Sequence, residues 1–560
     1  MRSSRRIPFL IVFVFCILFQ RAADSRTLQS SVGLVVADNE VASRTGMEIL
    51  KRGGNAVDAA IATAFALSVV DQASSGLGGG GFGLYYLAKD RKAFALDFRE
   101  TAPQAAARVL YRQDGKPLPS LSLTGALAVA VPGEVAGLAE AHRRFGTLPL
   151  AALMAPAIKL AAAGFPLDAT LRAAIERQRD NMRHFPELAR IYLPGGEVPK
   201  EGAIIRQVEL ASTLKAIAQE GPAVFYQGWV GRAIIETIQR AGGVMTLDDL
   251  NNYRAVWREP LMGSYRGRTV VAMPPPSSGG VALLTMLNIL EGHGLEQLEH
   301  NSADYLHLVA ESMKHAFADR AEFLGDPDFV HVPVRKLTSK DYAAWIRGRI
   351  RADKTRPTNF YGYYHYHTEK GGTTHFSVID RFGNAVSLTQ TVNTRFGSKL
   401  LDRRTGVVLN NEMDDFAIHS DAANIYGLVG NKANALEPGK RPLSSMSPTI
   451  LLRGGRPELV VGGAGGPRII SATLQTILNV LDFRMPVKAA VAAPRIHHQW
   501  LPDRLYSEAK LGAESRKLLE LRGHLIREQT ALGVVQAIAW QGGSPAGAAD
   551  PRKVERARTE

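Results

Sequence analysis

Two threonine-rich stretches, GGTTHFSVID and SLTQTVNTRFG, contain hydroxyl groups at a spacing that could bring them together. Residues 374–380 and 385–391 could form a hairpin about the turn RFGN. The two residue numbers of each facing pair then sum to about 765, and this register is defined to within a residue or two. Thr391 then lies opposite Thr374 and beside Thr373. Spacing alone favours an ordinary cross-strand threonine pair. The pattern still predicts neighbouring hydroxyls at the start of one strand.

A threonine hydroxyl is a weak nucleophile unless a base takes its proton. A cut between Gly372 and Thr373 would supply that base, because a free α-amine has a pKa of about 7.7–8.0. The amine adjoins the Thr373 hydroxyl and can accept its proton directly or through water. The same hydroxyl could attack the Gly372 carbonyl, so the cut itself could be autocatalytic. This stretch therefore predicts a nucleophile that exists only after the chain is cleaved.

A glycine pattern and several polar pairs raise other kinds of site. Gly76, Gly78 and Gly81 match G-x-G-x-x-G, but a helix is predicted before them and a strand after them, the reverse of a dinucleotide site. We interpret these glycines as positions where backbones approach closely. The sequence predicts no organic cofactor.

Metal sites have weak support. Asp414 and Asp415 could belong to a Ca²⁺ loop or a solvated acidic turn, but Ca²⁺ needs more oxygen ligands than this stretch offers. His497 and His498 would point to opposite faces of a strand, so we interpret them as structural. The histidines of YYHYHTE precede the cut and could bind a metal only adventitiously. We expect no metal cofactor.

Composition limits the chemistry further. The chain has 560 residues, a net charge of +14 and one cysteine, Cys16. A thiol nucleophile, a disulfide framework and a cysteine-ligated metal are therefore not expected. The basic residues are scattered without interleaved aromatics, so a nucleic-acid site is disfavoured. A basic surface of this kind suits anionic small molecules or a membrane surface.

The N-terminus resembles a secretory signal. MRSSRR is followed by 13 apolar residues, 7–19, and small residues suitable for cleavage lie near Ala22 to Ser25. The apolar run is short for a membrane span, which needs about 18 residues. We predict a signal peptide over 1–25 and a secreted or periplasmic protein. An uncleaved membrane anchor is the alternative.

The elements that must position the threonines alternate along the chain. GLVVA, FGLYYLA and KAFALDF are predicted as strands, and GGNAVDAAIATAFALSVVDQ as a buried helix. GALAVAVPGEVAGLAEAHRRFG is predicted as strand, turn and helix, and residues 200–330 as mostly helical. After residue 373, strands dominate in HFSVID, AVSLTQTV, TILLR and PELVVGGAGG, before two late helices. Separate runs of strands and helices predict stacked sheets with covering helices, an α+β fold.

The longer motifs resemble one family. LDFRETAP, MPPPSSGG, TTHFSVID, LNNEMDDF, KRPLSSMSPT and GGAGGPRII are similar to motifs of gamma-glutamyltranspeptidase, an N-terminal-nucleophile hydrolase, in order over about 33–550. The resemblance implies a four-layer αββα sandwich made from one precursor. It implies a large subunit, 26–372, and a small subunit, 373–560, that pair in one compact unit without a cofactor.

The resemblance also implies roles at the reaction centre. Gly372 and Thr373 would flank the self-cleavage site, and Thr373 would be the nucleophile. Thr391 would hydrogen-bond to Thr373 and raise its reactivity. Gly465 and Gly466 would offer backbone N–H groups to the tetrahedral oxyanion.

A second set of residues is implied for a γ-glutamyl group. Arg99 would bind its α-carboxylate, with hydroxyl donors from Ser444 and Ser445, because a guanidinium fork suits a carboxylate.

The resemblance implies that acidic residues bind the α-ammonium of the γ-glutamyl group. Asp415 and Glu412 would bind its α-ammonium with help from Asn393, although bacterial members often have Gln where this chain has Glu412. Tyr426, in SDAANIYGLVG, would belong to a lid.

The resemblance finally implies an activity. The enzyme would form a γ-glutamyl ester from glutathione or another γ-glutamyl compound and pass it to water, an amino acid or a dipeptide. Two alternatives remain at this point: a glutaryl or cephalosporin acylase on the same fold, and an inactive secreted binding protein. The lead-in YGYYHYHTEKGG departs from the family pattern and leaves the rate of maturation open.

Overall fold

The computed structural model describes residues 31–362, 372–418 and 432–553. The predicted signal peptide, Tyr426 and the histidines of YYHYHTE lie outside these ranges. In the described part of the chain, no helix is long and apolar enough to cross a membrane.

Strands fall into two large sheets and three small ones. Within the described ranges the strands are β1 Gly33–Ala37, β2 Gly80–Leu87, β3 Lys92–Phe98, β4 Arg112–Gln113, β5 Lys116–Pro117, β6 Phe165–Pro166, β7 Ile204–Ile205, β8 Val256–Arg258, β9 Leu261–Tyr265, β10 Arg268–Ala272, β11 Thr374–Asp380, β12 Ala385–Thr391, β13 Thr449–Arg453, β14 Arg456–Ala464, β15 Ile496–His497, β16 Leu505–Glu508, β17 Ile526–Gln529, β18 Val534–Gln541 and β19 Ser544–Ala549.

The helices of the same ranges are α1 Glu40–Lys51, α2 Ala56–Val70, α3 Ser120–Leu123, α4 Glu134–Phe145, α5 Leu150–Ala163, α6 Ala169–Met182, α7 Pro186–Tyr192, α8 Val208–Glu220, α9 Ala223–Tyr226, α10 Trp229–Arg240, α11 Leu247–Asn252, α12 Gly279–Glu291, α13 Ala303–Phe323, α14 Val334–Leu337, α15 Lys340–Arg347, α16 Arg468–Leu481, α17 Val487–Ala492 and α18 Ala513–Leu521.

Two six-stranded antiparallel sheets form the centre of the molecule. The first has the order β1-β11-β12-β2-β3-β8 and the second β19-β18-β14-β13-β10-β9. Their inner faces pack together, since the Ser387 hydroxyl of one sheet donates to the Val461 carbonyl of the other over 3.1 Å. Helix α2 shares a core with the first sheet, and α12 and α13 share one with the second. The four-layer αββα prediction is confirmed.

Burial on both faces explains the composition of the inner elements. All seven residues of β11 and all seven of β12 are buried, so these strands lack a polar solvent face. Helix α2 is buried over all fifteen of its residues. It begins with a capping box in which Asn55 and Asp58 satisfy each other's backbone N–H groups.

The hairpin register is offset by one residue from the predicted sum, which lies within the range that the prediction allowed. Thr374 pairs with Gln390 and not with Thr391. The loop is one residue shorter than the turn RFGN implied, because the Asp380 N–H donates to the Asn384 carbonyl over 3.0 Å. The Asp380 carboxylate also accepts from the backbone N–H of Asn384 over 3.0 Å and holds this tight loop. The shift aligns Thr391 with Thr373, one residue before β11.

Two element predictions are corrected. The predicted strand in GALAVAV is a short 3-10 turn, Ala126–Ala128, with a single bridge between Thr101 and Val131. The mostly helical stretch 200–330 also contains β8, β9 and β10. These strands take their places at sheet edges and beside β13, which are long-range pairings that local periodicity does not reveal.

Candidate active site

The predicted cleavage point is a dense hydrogen-bonded cluster. The Thr373 Oγ1 donates to the Gly372 carbonyl over 2.8 Å and lies 3.2 Å from the Thr391 Oγ1. The Thr391 Oγ1 is also 3.1 Å from the same Gly372 carbonyl oxygen. A hydroxyl that donates to a carbonyl oxygen polarises it and stabilises the oxyanion that forms on attack. The cluster is therefore suited to attack by Thr373 on Gly372 with Thr391 as electrostatic support.

Local backbone geometry holds Thr391 in place. Its Oγ1 accepts from the Asn393 N–H over 2.8 Å, and the Asn393 carbonyl accepts from the Gly372 N–H over 2.9 Å. Asn393 has a φ of +71°, a left-handed conformation that asparagine tolerates better than most residues. The turn after β12 thus closes back on the cleavage point.

Glycines bring β2 against this turn. A Cβ at Gly79 would lie 2.0 Å from the Thr391 carbonyl oxygen, and one at Gly81 would lie 2.2 Å from the Thr389 carbonyl oxygen. A Cβ at Gly78 would lie 2.3 Å from the Val408 carbonyl oxygen. The interpretation of the G-x-G-x-x-G stretch as close backbone packing is confirmed at Gly78 and Gly81, whereas a Cβ at Gly76 would meet nothing within 4 Å.

Two cavities meet at Thr373, and the structure brings nearly all predicted site residues to their walls. The smaller cavity is lined by Arg99, Thr373, Thr391, Asn393, Glu412, Asp415, Leu443, Ser444, Ser445, Met446, Gly466 and Ile469. Gly465 and Gly372 line the larger cavity on the other side of Thr373. Tyr426 is outside the described residues.

The charged groups of the smaller cavity contact one another. The Arg99 guanidinium binds Glu412 and, over 2.5 Å, the Asp415 carboxylate. The pKa of Arg99 lies above its ordinary value, because these two anions outweigh the lowering effect of burial. We predicted these groups for opposite ends of one ligand, and the structure shows them as a mutual ion-pair cluster.

Two further charged residues adjust the balance of this cluster. Burial raises the pKa of Glu100 to about 8, and the Arg99 guanidinium, 3.8 Å from its carboxyl, opposes this shift. Burial lowers the pKa of Arg320 to about 10, which still leaves it charged. Burial also raises the pKa of Glu412 well above its ordinary value, and the Arg99 guanidinium opposes this shift. Sequence reasoning missed both Glu100 and Arg320.

Two loops that pair with each other hold Ser444 and Ser445 at the smaller cavity. Ser277 forms a bridge with Ser444, and the Ser278 N–H donates to the Ser444 carbonyl over 2.8 Å. Arg320, on α13, donates to the Ser278 hydroxyl over 3.0 Å and lies 3.5 Å from the Ser445 hydroxyl. The motifs MPPPSSGG and KRPLSSMSPT are therefore held together at the smaller cavity.

Gly465 and Gly466 stand between the two cavities. They link the end of β14 to the start of α16 with φ values of +125° and +61°, which favour glycine. The positive end of the α16 dipole lies at this turn. Backbone N–H groups in such a turn can stabilise an oxyanion next to Thr373.

The larger cavity was not predicted. Four basic residues line it, Arg177, Arg395, Arg468 and Lys553. Arg395 and Arg468 stand inside the motifs TVNTRFG and GGPRII, so proximity to predicted site residues was the signal that could have found them.

The acidic and histidine residues that were considered for other kinds of site form hydrogen bonds or ion pairs within the protein. The Asp414 carboxylate accepts from the Ser122 hydroxyl over 2.8 Å and is buried, so this stretch is not a solvated acidic turn. His497 contacts the Ser471 hydroxyl over 2.5 Å, whereas His498 contacts Asp503 over 3.2 Å. The two histidines thus have separate partners, as expected for structural residues.

One group in the described part of the chain has metal-ligand types. His307, Glu311 and His524 are buried, with candidate ligand atoms within 4.8 Å of one another. They already hold a segment of the chain: His307 contacts the Arg351 carbonyl over 2.7 Å, and Glu311 accepts from the Thr355 hydroxyl over 2.6 Å. They line neither of the two cavities, and the site at Thr373 includes none of them.

The chain is similar to known proteins over most of its length. The Gamma-glutamyltranspeptidase family matches residues 42–559. The chain is 43% identical over 537 residues to the glutathione hydrolase proenzyme of Escherichia coli K12, covering 94% of this chain and 92% of that protein.

Two solved structures are also similar. Cephalosporin acylase from Bacillus halodurans has a TM-score of 0.82 at 29% identity, covering 99% of this chain and 98% of the other. The gamma-glutamyltranspeptidase of Helicobacter pylori has a TM-score of 0.58 at 39% identity, covering 59% of this chain and 95% of the other. With the family match over most of the chain, the stacked sheets and the threonine cluster, this protein belongs to the gamma-glutamyltranspeptidase family.

Proposed function

We propose that the chain is a precursor that cuts itself between Gly372 and Thr373 and then acts as a gamma-glutamyltransferase and glutathione hydrolase. One observation carries the proposal: the Thr373 hydroxyl contacts the Gly372 carbonyl and also borders the cavity that contains Arg99, Glu412 and Asp415. Self-cleavage and γ-glutamyl chemistry would therefore use the same oxygen atom.

Self-cleavage begins with attack of the Thr373 Oγ1 on the Gly372 carbonyl carbon. The C–N bond breaks, the nitrogen takes the proton that the Thr373 hydroxyl loses, and an ester joins Gly372 to the Thr373 side chain. Water hydrolyses this ester and leaves a carboxylate on Gly372. Thr373 then has a free α-amine beside its hydroxyl, which is the base that the uncut chain lacks.

Turnover uses that amine as the base. It takes the Oγ1 proton while the oxygen attacks the γ-carbonyl carbon of the substrate, and the oxyanion binds backbone N–H groups at Gly465 and Gly466. The amide C–N bond breaks, and the proton passes to the leaving amine. Water or an acceptor amine then attacks the γ-glutamyl ester. The attacking group gives its proton to the Thr373 oxygen by way of the α-amine, which restores the hydroxyl.

Specificity would come from opposite charges in the smaller cavity. The substrate α-carboxylate would bind Arg99, with hydroxyl donors from Ser444 and Ser445. The substrate α-ammonium would take the place of the guanidinium at Glu412 and Asp415. The two contacts of Arg99 to Glu412 and Asp415 would be replaced by contacts to the two charges of the substrate, so every buried charge would keep a partner, as burial requires.

The ammonium end would gain a further ligand. Asn393 would contribute its side-chain amide oxygen beside Glu412 and Asp415. We propose that a lid containing Tyr426 covers the bound group. No metal or organic cofactor takes part in this scheme.

The two subunits would remain together after the cut. The first sheet combines β1, β2, β3 and β8, from before residue 372, with β11 and β12, from after it. We further propose that amino acids or dipeptides are the acceptors. Residues 1–25 would direct the protein to the periplasm or the exterior, and a membrane anchor is the less favoured outcome.

The central test is a denaturing gel of purified Thr373→Ala beside the wild type. We expect the wild type to give two bands, the smaller starting at Thr373, and the variant to give one inactive full-length band. Thr374→Ala is the matched control, because Thr374 instead donates to the Asp38 carboxylate over 2.8 Å. A Thr373→Ala chain that still splits would refute the proposal. An uncut wild-type chain would favour an inactive binding protein.

A second candidate is a glutaryl or cephalosporin acylase, which the similarity to the Bacillus halodurans acylase favours. A glutaryl group lacks the α-ammonium, so Glu412 and Asp415 would have no ligand. Rates of hydrolysis of γ-glutamyl and glutaryl anilides decide between the two, and a preference for the glutaryl anilide would establish the acylase.

A further inference from the structure

A buried cluster on α13 contains three side chains of the types that bind metal ions. His307 and Glu311 stand four residues apart on one face of this helix, and His524, which follows α18, packs against them. One candidate ligand atom of each residue lies within 4.8 Å of the others. All three residues are at most 3% exposed. Two imidazoles and one carboxylate form a donor set that Zn²⁺ binds in proteins.

Hydrogen bonds determine the tautomers of the two rings. The His307 Nε2 lies 2.7 Å from the Arg351 carbonyl, which can only accept, so this nitrogen carries the proton. Burial lowers the pKa of both histidines, that of His524 to about 2, so the rings are neutral at pH 7. The His307 Nδ1 therefore accepts from the His524 Nε2 over 2.8 Å. A histidine that donates from its outer nitrogen to a backbone carbonyl is oriented as metal ligands are.

The other nitrogen of His524 has no hydrogen-bond partner. In the described part of the chain, the buried His524 Nδ1 contacts no donor or acceptor. If the Nε2 proton moves to Nδ1, an unpartnered lone pair becomes an unpartnered N–H, and Nε2 can bind an ion without a second unsatisfied atom. The facing nitrogens of His307 and His524 would separate to about 3.3 Å, the span across a tetrahedral Zn²⁺ with bonds of about 2.0–2.1 Å.

The Glu311 carboxylate is held by two hydroxyl groups. Its Oε1 accepts from Thr355 over 2.6 Å, and its Oε2 accepts from Tyr361 over 2.5 Å. Each carboxylate oxygen keeps a further lone pair that an ion can use. Lys314, on the same helix, pairs with Asp503 over 3.2 Å, so its charge is compensated. Glu311 then gives the cluster a negative charge, which favours a cation.

The cluster lies beneath a surface segment and between two parts of the chain. Residues 351–354 are exposed, and this segment carries the carbonyl that His307 contacts. A local opening of the segment would admit an ion. His307 and Glu311 precede residue 372, whereas His524 follows it. An ion bound here would have ligands from both chains of the cleaved protein.

We propose that His307, Glu311 and His524 form a Zn²⁺ site that links the two chains of the cleaved protein. A water molecule would complete a tetrahedral shell. The site is structural, since the three residues line neither cavity at Thr373. Zn²⁺ binding itself requires neither self-cleavage nor γ-glutamyl transfer, and only the link between chains rests on the proposed function.

The first experiment titrates Zn²⁺ into the EDTA-treated full chain and follows the heat of binding. We expect one Zn²⁺ per chain, and Co²⁺ in its place should show the visible absorption of a tetrahedral ion. His307→Gln, Glu311→Gln and His524→Gln should each weaken binding by more than about 10- to 100-fold, the loss expected for an outer-shell partner. Tyr361→Phe removes such a partner and should weaken binding about 10-fold. His331→Gln is the control, because His331 is exposed and outside the cluster.

Adventitious binding elsewhere is tested separately. His365 and His367 of YYHYHTE could also bind Zn²⁺. A variant with both changed to Gln should keep the wild-type affinity. Loss of binding in that variant, unchanged affinity in His524→Gln, or no binding by the wild type would overturn the inference. If a ligand variant does not fold, the wild-type Co²⁺ spectrum still decides, because an octahedral spectrum contradicts the site.

The link between the chains has its own measurement. The urea concentration at which the cleaved wild type separates into two chains should rise when Zn²⁺ is added, and it should not change in His524→Gln. An unchanged midpoint for the Zn²⁺-loaded wild type would show that the ion does not link the chains. A wild type that remains uncut but binds one Zn²⁺ would contradict the proposed function and leave the metal site intact.

Discussion

At the scale of single residues, Arg99 decides how the smaller cavity can bind a ligand. Its guanidinium contacts two carboxylates in a buried site, so its charge is compensated before any substrate arrives. A ligand must bring both a carboxylate and an ammonium group to replace these contacts without leaving a buried charge unpaired. The family resemblance implied a zwitterionic ligand, but it did not indicate that these groups bind one another.

We predict that Arg99→Lys raises the KM for a γ-glutamyl anilide more than it lowers kcat. A lysine ammonium group cannot bind the substrate α-carboxylate through paired N–H donors as the Arg99 fork would, and losing a charge-assisted contact costs about 10- to 100-fold in kcat/KM. Steady-state kinetics on the cleaved enzyme measure this change. Arg258→Lys is the control, because Arg258 pairs with Asp97 outside both cavities. An equal loss in both variants would indicate a general effect on folding.

At the scale of elements, the approach of β2 to β12 sets the position of the nucleophile. The two strands pair from Ala385 to Thr391, so the end of β12 and its turn rest on the glycines of β2. The sequence predicted both strands and the close approach. It did not predict the register, because a single residue in the Asp380–Asn384 loop shifts every partner.

We predict that Gly81→Ala destabilises the protein by about 1–3 kcal/mol and slows self-cleavage, because its Cβ would overlap backbone that cannot move freely. Gly76→Ala is the matched control, since a Cβ there has no neighbour within 4 Å. Thermal unfolding and the denaturing gel report the two effects. Equal behaviour of the two variants would show that this strand contact does not position Thr373.

At the scale of the whole molecule, the predicted subunits share their sheets. The second sheet places β9 and β10, from before residue 372, beside β13, from after it. Backbone hydrogen bonds and the packing of both cores therefore cross between the two parts of the chain. This interleaving is a property of the topology, which the order of predicted elements did not contain.

We predict that the cleaved protein elutes as one species under native conditions and separates into two chains only in denaturant. Loss of one peptide bond removes none of the strand pairs between the subunits. Size-exclusion chromatography of the wild type, with Thr373→Ala as the uncut reference, measures this. Separation of the chains in native buffer would contradict the shared sheets.

The sequence by itself determined the chemistry of this protein: a threonine after Gly372, a second threonine eighteen residues on, and the charge types that suit a zwitterion. These features can be recognised in the sequence because each of them lies within a short motif.

Only the tertiary structure decided which distant groups meet. Thr373 lies at the junction of two cavities, Arg99 is paired with Glu412 and Asp415, and the larger cavity collects Arg177 and Lys553 from far along the chain. Such meetings follow from the stacking of two sheets. Local periodicity does not specify them, because burial on both faces removes the alternation that would show which way each strand faces.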